Sequence, residues 1–234
     1  MDYRNLSVKP LELSTINNEC YKQLKDMILC GDLPWGAKID IGQLATSFGI
    51  SKFPVIKAIE RLALEKILVV YPNRGTYVVF PTEKQIGEVS QIRFMIESFS
   101  CQYAFEHNRQ NLVNAVEAVQ QANPYSIENV HEIDFKSFLI YDRDFHVAII
   151  RCAENEQLLS YYMTIRTQAE LFRVQTFNEP NIEEAIRMHQ NIIHCIKNGD
   201  ITNAILHLGN HLAQVTAETM ESLENMPKRK DPQE

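Results

Sequence analysis

The chain has 234 residues, of which 45% are hydrophobic and 23% are charged, and its formal net charge is −7. This composition is typical of a folded globular protein, and the length suffices for two domains of ordinary size. The apolar runs are far shorter than the roughly 20 residues that span a bilayer, and the N-terminus lacks the apolar segment of a signal peptide. We therefore predict a cytoplasmic protein without a membrane partner.

The five cysteines are odd in number and widely spaced, and no two of them form a Cys-x-x-Cys pair. This pattern argues against a disulfide framework and against a zinc site made of thiolates. We predict reduced thiols, most of them buried, at Cys20, Cys30, Cys101, Cys152 and Cys195.

The charge is divided unevenly along the chain. Residues 1–81 contain ten Lys and Arg against eight Asp and Glu, whereas residues 82–234 contain thirteen against twenty-two. The small positive excess favours a nucleic acid partner for the first third of the chain, although it is weak evidence by itself.

Residues 14–81 are predicted to fold as one small domain, after a flexible arm of residues 1–13. Apolar residues recur at helical spacing in three segments, glycines follow the first two as stop signals, and Ser51 is expected to cap the third. Two segments rich in β-branched and aromatic residues then flank a turn, which predicts a hairpin. Helix, tight turn, helix and hairpin in this order are the plan of a winged helix-turn-helix. The predicted helices cover residues 16–30, 41–48 and 51–62, and the predicted strands cover 67–71 and 76–80.

Three motifs in this domain resemble the GntR family of transcription regulators. Residues 31–36, Gly-Asp-Leu-Pro-Trp-Gly, are similar to its G-x-L-x-x-G turn, residues 51–58 to its recognition helix, and residues 73–76, Asn-Arg-Gly-Thr, to its wing tip. The resemblance implies that the domain binds operator DNA.

A recognition helix enters the major groove with its N-terminus first, so that residues near its start approach base edges while neighbouring cations hold phosphates. A wing tip reaches a phosphate or the minor groove. The alternative is that the charged residues are merely solvated. The positions expected to contact DNA are Ser51, Lys52, Phe53 and Lys57 on the helix and Arg74 and Gly75 at the wing tip.

The chain departs from the family pattern at three positions. Ile56 replaces the second arginine of the recognition helix, Phe53 a small polar residue, and Gly42 an arginine of the preceding helix. Bidentate reading of guanine by arginine is thereby reduced. We expect an unusual operator, or more reliance on phosphate contacts and DNA shape, the alternative being weakened DNA binding.

From residue 82 onward the helical period dominates, which predicts an antiparallel all-helical bundle over residues 82–225, followed by a disordered tail at 226–234. The fold class is therefore mainly α. The predicted bundle helices cover residues 83–107, 109–122, 130–153, 156–177, 181–198 and 200–224.

Four polar residues fall on the apolar faces of these helices. Asp142 lies within a stripe of phenylalanine and aliphatic residues with His146 one turn later, and His189 and His211 lie on the inner faces of the last two helices. A buried carboxylate needs a partner, and one aspartate with three histidines can surround a divalent metal. Nitrogen and oxygen ligands suit zinc best here, with nickel or manganese as alternatives. The competing interpretation is a hydrogen-bond network without a metal.

This set also resembles a family, the FCD sensor domain of FadR-type GntR regulators. Its D-x-x-F-H motif stands at residues 142–146, and its two later histidines stand at His189 and His211. All four metal positions are filled, so the resemblance implies a metal-containing member.

A six-coordinate metal with four protein ligands keeps two positions open, which a small carboxylate effector is expected to fill. Arg93 lies at the centre of an apolar helix face, and an inward guanidinium suits a carboxylate. The alternative is that Arg93 pairs internally with Glu97, one turn later. Arg166 and Arg173, which flank another apolar stripe, are further candidates for effector binding.

The favoured function is a ligand-responsive regulator that binds a near-palindromic operator as a homodimer. A second hypothesis is a DNA-binding protein whose metal is purely structural. A third is a metal-dependent hydrolase, which is disfavoured because the chain has no HExxH, GxSxG or Gly-rich phosphate motif. We therefore expect a protein that is not an enzyme.

Overall fold

The computed structural model describes residues 14–122, 132–174 and 179–225. Within these ranges the chain is mainly helical, with one small sheet, and forms an N-terminal winged helix-turn-helix and a C-terminal helical bundle. The predicted fold class is therefore confirmed. The predicted N-terminal arm, residues 1–13, and tail, residues 226–234, lie outside the described residues.

The N-terminal domain contains three helices and a three-stranded antiparallel sheet. In chain order its elements are α1 (Ser14–Leu29), β1 (Lys38–Ile39), α2 (Ile41–Phe48), α3 (Lys52–Leu64), β2 (Leu68–Tyr71) and β3 (Gly75–Val78). The strands lie in the order β1-β3-β2, with Leu68 opposite Val78 and Lys38 opposite Tyr77. The sequence predicts β2 and β3 but not β1, because two residues are too few to show a strand's alternation.

The two helices of the helix-turn-helix begin and end differently. The side chain of Asp40 accepts a hydrogen bond from the Gln43 amide and caps α2, which ends at Gly49 in the left-handed region (φ 66°). Ser51 stands at the N-cap of α3 but makes no capping hydrogen bond with its side chain, contrary to the prediction. Pro54, at the third helical position, lacks one of the two N–H groups from which such a side chain commonly accepts a hydrogen bond.

The C-terminal domain is a bundle of long helices. They are α4 (Glu83–Ala122), α5 (Phe135–Arg151), α6 (Glu156–Arg173), α7 (Glu179–Asn198) and α8 (Ile201–Glu224). Helix α4 is interrupted at Asn108 (φ −152°, ψ 56°), which is where the sequence predicts one helix to end and another to begin.

Three boundaries of the bundle differ clearly from the sequence prediction. Helix α5 begins at Phe135 rather than near residue 130, and residues 123–131 lie outside the described part. Helix α6 ends at Arg173 rather than at residue 177, and α7 begins at Glu179 rather than at residue 181, with residues 175–178 outside the described part. Pro180 occupies the first turn of α7, where its missing N–H costs no helical bond.

Helix α6 also belongs to the core of the N-terminal domain. Ala169, Leu171 and Phe172 pack with the buried residues of the winged helix. The indole nitrogen of Trp35 donates a hydrogen bond of 2.7 Å to the Leu171 carbonyl. The two domains are therefore joined by a shared apolar cluster as well as by the chain itself.

Neither domain contributes a candidate membrane span: no helix in the described ranges is both long and apolar enough to cross a bilayer. All five cysteines are free thiols. Cys20, Cys101 and Cys152 are buried, Cys195 is partly buried and Cys30 is exposed.

Candidate metal centre and DNA-binding surface

Four polar side chains converge at the centre of the helical bundle. Asp142 and His146 lie one turn apart on α5, His189 lies on α7 and His211 on α8. All four are buried, with at most 6% of their surface exposed. One nitrogen or oxygen atom from each lies within 4.8 Å of the others. The structure thus brings together the four residues that the sequence singles out as metal ligands.

The three imidazole rings point the same nitrogen toward one another. His211 Nε2 lies 3.2 Å from both His146 Nε2 and His189 Nε2. His146 Nδ1 lies 2.7 Å from the Glu97 carboxylate, which only accepts, so in the neutral ring the proton sits on Nδ1 and Nε2 carries a lone pair. A proton on His211 Nε2 can form a well-aligned hydrogen bond with only one of these two nitrogens. Hydrogen bonds among the rings therefore leave one nitrogen unsatisfied, whereas a cation accepts all three lone pairs.

Burial keeps two of these histidines neutral. It lowers the pKa of His189 well below the ordinary value of 6.5. Burial lowers the pKa of His211 in the same way. Neutral imidazole is the form that binds a metal, so both rings are ready ligands at neutral pH.

Asp142 stays ionised although it is buried. Burial disfavours its charge, but the guanidinium of Arg173 outweighs that effect and holds the pKa of Asp142 well below its ordinary range. Arg173 Nη1 donates to Asp142 Oδ1 at 2.9 Å. The same oxygen lies 3.8 Å from His146 Nε2 and 3.7 Å from His189 Nε2. Asp142 Oδ1 thus faces both the arginine and the imidazole cluster.

A second buried carboxylate, Glu97, supports the cluster from α4. It accepts hydrogen bonds from Arg93 Nε at 2.8 Å and from the Tyr162 hydroxyl at 3.0 Å, as well as from His146. Burial opposes its ionisation, but Arg93 and His146 lower its pKa to about 2. Arg93 is therefore engaged in the internal pair with Glu97 that the sequence leaves open as an alternative.

A small pocket, with room for about one water molecule, lies beside the cluster. Asp142 and His146 form part of its wall, together with three arginines, Arg93, Arg166 and Arg173. Arg166 pairs with Glu170, whose own pKa is raised by burial against the opposing charge of Arg166. The Nε of Arg166 is buried and has no hydrogen-bond partner within the described ranges.

The predicted DNA-contacting residues of α3 lie on one exposed surface. Ser51, Lys52, Phe53 and Lys57 are all exposed, and 58% of the Phe53 surface is accessible. The Lys57 ammonium pairs with Glu60 at 2.7 Å and lies 5.6 Å from the centre of the Phe53 ring. Nothing buries this surface within the described part of the chain.

The wing tip is a tight turn between β2 and β3. Asn73 (φ 61°) and Gly75 (φ 116°) both occupy the left-handed region. The Tyr77 hydroxyl donates to the Arg74 carbonyl at 3.1 Å, which fixes the turn beneath the exposed Arg74 side chain. Gly75 is pressed against Lys38 of β1, since a Cβ at Gly75 would lie 3.0 Å from Lys38 Cε.

A winged helix-turn-helix joined to a helical bundle with a buried aspartate and three histidines defines a class of protein, the DNA-binding regulator with a metal-binding helical domain. Comparison with protein families identifies the members of that class that this chain matches. Residues 16–78 match the gntR family of bacterial regulatory proteins, and residues 88–214 match the FCD domain. The chain belongs to the GntR family and carries an FCD domain.

Known proteins similar to this chain are transcription regulators rather than enzymes. The gluconate operon transcriptional repressor of Bacillus licheniformis is 27% identical over 150 residues, which cover 64% of this chain and 60% of the repressor. The chain thus spans less than two thirds of that relative's length.

Solved structures agree with this fold. A GntR transcriptional regulator from Rhodococcus sp. RHA1 superposes with a TM-score of 0.69 at 17% identity, covering 88% of this chain and 98% of that one. The Zn²⁺-bound FCD domain of the transcriptional regulator TM0439 gives a TM-score of 0.51 at 27% identity, covering 63% of this chain and 99% of that domain. A divalent metal site in this chain is thus supported by a zinc-bound neighbour and by its own ligand cluster.

Sequence reasoning missed the contacts that surround the four ligands. It names Glu97 only as a partner for Arg93, and Arg173 only as a candidate for effector binding. The helical period shows that these residues face inward, but it does not show which of them meet across α4, α5 and α6. The sequence does not single out Tyr162, because a tyrosine on the inward face of a helix is typical of an ordinary hydrophobic core.

Proposed function

We propose that the chain is a cytoplasmic, homodimeric transcription regulator whose operator affinity is set by a small carboxylate metabolite bound at a divalent metal ion. The observation that carries this proposal is the convergence of Asp142, His146, His189 and His211 inside a bundle that shares a core with a winged helix. Zinc is the expected metal, because neutral imidazoles and one carboxylate suit it, with nickel and manganese as alternatives.

The residues around the cluster fit a metal in three ways. His146 presents a lone pair because Glu97 holds its other nitrogen, His189 and His211 are neutral, and Asp142 is ionised. When bound, the metal supplies a Lewis acid that attracts the oxygen of an anionic ligand.

The lining of the pocket beside the cluster suits an anionic effector, and the pocket has to widen to admit one. Arg93, Arg166 and Arg173 give it positive charge next to the ligand atoms, and guanidinium groups bind carboxylates by paired hydrogen bonds. Arg93 and Arg166 are the residues proposed to hold the effector. A relative of this chain is the repressor of a gluconate operon, named for a sugar acid. A small hydroxy acid is therefore the first class of compound to test.

The exposed surface of α3 and the wing is the proposed DNA interface, formed by Ser51, Lys52, Phe53, Lys57, Arg74 and Gly75. The Ser51 hydroxyl is free of a capping role and lies at the helix N-terminus, where a phosphate is favoured. A Cβ at Gly42 would lie 4.0 Å from Lys52 Nζ. Lys52 thus brings a positive charge close to the place of the arginine that Gly42 replaces.

The proposed homodimer uses an apolar stripe on α4. Met95, Phe99 and Tyr103 are exposed by 69%, 53% and 40%, and Ile92 continues the same face. A second copy of the chain covers this stripe by two-fold symmetry. The two recognition helices of the dimer then contact the two halves of a near-palindromic operator.

The DNA-binding proposal is tested by Lys52→Ala, with Lys84→Ala on the exposed surface of α4 as the control for lost charge. The duplex is the one bound most tightly from a random-sequence pool. We expect Lys52→Ala to weaken binding several-fold and to lower the slope of log affinity against log salt by about 0.9, the effect of one phosphate contact. Equal behaviour of the two variants would move the contact surface elsewhere, and no binding even in low salt would refute DNA binding.

A purely structural metal is the second candidate, and one observation favours it. Glu97 pairs with Arg93 and Glu170 pairs with Arg166, so both arginines already have a carboxylate. Thermal melts of metal-stripped protein, zinc-loaded protein and zinc-loaded protein with gluconate or citrate separate the two. Stabilisation by zinc and a further rise in melting temperature with an acid support a sensor, because a ligand that binds only the folded state stabilises it. Stabilisation by zinc alone across a panel of acids supports a structural metal.

A further inference from the structure

The last turns of α6 touch both functional parts of the molecule. Arg173 donates to Asp142 in the metal-ligand cluster, and two residues earlier the Leu171 carbonyl accepts from Trp35 of the winged helix. Both hydrogen bonds are buried. A short stretch of one helix therefore lies in direct contact with the cluster and with the DNA-binding domain.

The contact with the winged helix is suited to transmit a movement. Leu171 is among the last four residues of α6, whose carbonyls have no partner within the helix. The Trp35 indole, which is 2% exposed, provides a donor for this carbonyl, and Leu171 and Phe172 pack in the winged-helix core beside it. A shift of this turn of α6 therefore cannot occur without repacking around Trp35, because close-packed interiors do not deform continuously.

The contact with the cluster is suited to sense its occupancy. Asp142 Oδ1 accepts from Arg173 and faces the Nε2 atoms of His146 and His189 on its other side. A cation held by the imidazoles would therefore lie against the same carboxylate that Arg173 binds. The negative charge available to Arg173 on Asp142 therefore differs between the metal-free and the metal-bound protein.

We infer that the final turn of α6 is a relay in which Arg173 senses the occupancy of the cluster and Trp35 receives the resulting shift through the Leu171 carbonyl. This inference rests on the proposed function, since it requires that the four-ligand cluster bind a divalent cation. It assigns Arg173 and Trp35 a positioning role, in which neither residue contacts DNA.

The first test uses Trp35 itself, which is the single tryptophan of the sequence. Zinc alone is titrated into metal-stripped wild-type protein, zinc content is measured by elemental analysis, and Trp35 emission is followed. We expect the emission wavelength or intensity to change and to saturate at one zinc per chain. Zinc that binds without any change in Trp35 emission overturns the relay and leaves the metal site intact. Protein that takes up no zinc overturns both the metal site and the relay.

The second test measures coupling to DNA. Trp35→Phe keeps an aromatic ring but removes the indole donor, and Thr167→Val is the matched control, since Thr167 accepts another hydrogen bond between the domains, from Lys25, without touching the cluster. The probe is again the duplex selected from a random pool, with and without zinc. We expect zinc to change the DNA affinity of the wild type and of Thr167→Val about 5-fold or more, which is the usual range of allosteric coupling. In Trp35→Phe we expect the ratio of the DNA affinities measured with and without zinc to fall toward one. A zinc effect in Trp35→Phe equal to that of the wild type overturns the relay.

Discussion

At the scale of single residues, the central feature is a set of polar side chains that the bundle buries completely. His189 and His211 are kept neutral by burial, and Asp142 is kept ionised by Arg173. Burying these groups costs free energy unless they find partners, so the protein carries them for a reason other than stability. A bound cation supplies that reason, because it needs both an anionic oxygen and neutral imidazoles.

The stability of the metal-free protein should fall in mild acid. The folded protein does not protonate His189 or His211 near pH 6.5, whereas the unfolded chain does. The unfolded state therefore binds more protons below about pH 6.5, and the free energy of unfolding decreases there by up to about 1.4 kcal/mol per pH unit for each histidine. Urea denaturation between about pH 7.5 and about pH 5.5 measures this slope. A flat profile over that interval would contradict the assignment of neutral, buried rings.

Replacing two of the ligands should abolish metal binding. We expect His189→Ala with His211→Ala to lose bound metal by elemental analysis and to melt at a lower temperature than the zinc-loaded wild type. Zinc should no longer raise the melting temperature, because that rise comes only from binding to the folded state. The matched control is His194→Ala with His207→Ala, on the same two helices but outside the cluster. Unchanged zinc content in the first variant would reject these ligands.

At the scale of helices and strands, local sequence decides how each element begins and ends. Asp40 caps α2 through the Gln43 amide, whereas Ser51 makes no such bond, and Pro54, at the matching position of α3, has no N–H to donate. The serine is therefore available for another partner, and the start of α3 is held by packing, since Pro54 and Val55 are buried.

This difference gives a prediction for two single substitutions. Asp40→Ala should lower the free energy of unfolding by about 1 kcal/mol, the usual effect of losing a cap. Ser51→Ala should change it by less than about 0.5 kcal/mol, as a surface substitution does, while weakening DNA binding. Chemical denaturation of both variants checks the first part and a DNA titration the second. A Ser51→Ala variant as destabilised as Asp40→Ala would show that the hydroxyl caps α3 in solution.

The sequence predicts features that depend on neighbours in the chain better than features that arise between separate segments. Periodicity predicts α2 to the residue and the break at Asn108, because both depend on neighbours in the chain. It also predicts that Asp142 faces inward. It does not predict strand β1 or the pairing of Asp142 with Arg173, because these arise where separate segments meet in three dimensions.

At the scale of the whole molecule, the domains share a hydrophobic core through α6, so the bundle and the winged helix are mechanically linked within one chain. The proposed dimer adds a second constraint, since two winged helices are then held at a fixed separation. We expect effector binding to change the operator affinity of such a dimer by moving the wings relative to one another.

If the apolar stripe of α4 is the dimer surface, one charge placed in it should disrupt the dimer. Phe99→Glu places a carboxylate in the middle of the apolar stripe of α4 and should convert the dimer to a monomer, because an unpaired charge is costly in an apolar interface. Leu64→Glu is the control, since Leu64 is 83% exposed but lies on α3, away from the stripe. Analytical ultracentrifugation gives the molecular mass of each. A Phe99→Glu variant that remains dimeric would place the interface elsewhere.

The most direct measurement is an anomalous difference map at the zinc absorption edge from a crystal of the full chain grown with zinc. We expect one strong peak among His146, His189, His211 and Asp142, about 2.0–2.1 Å from each ring nitrogen and about 2.0–2.2 Å from a carboxylate oxygen. A map without a peak at this place, from protein crystallised with zinc, would contradict the metal site and the sensing function built on it.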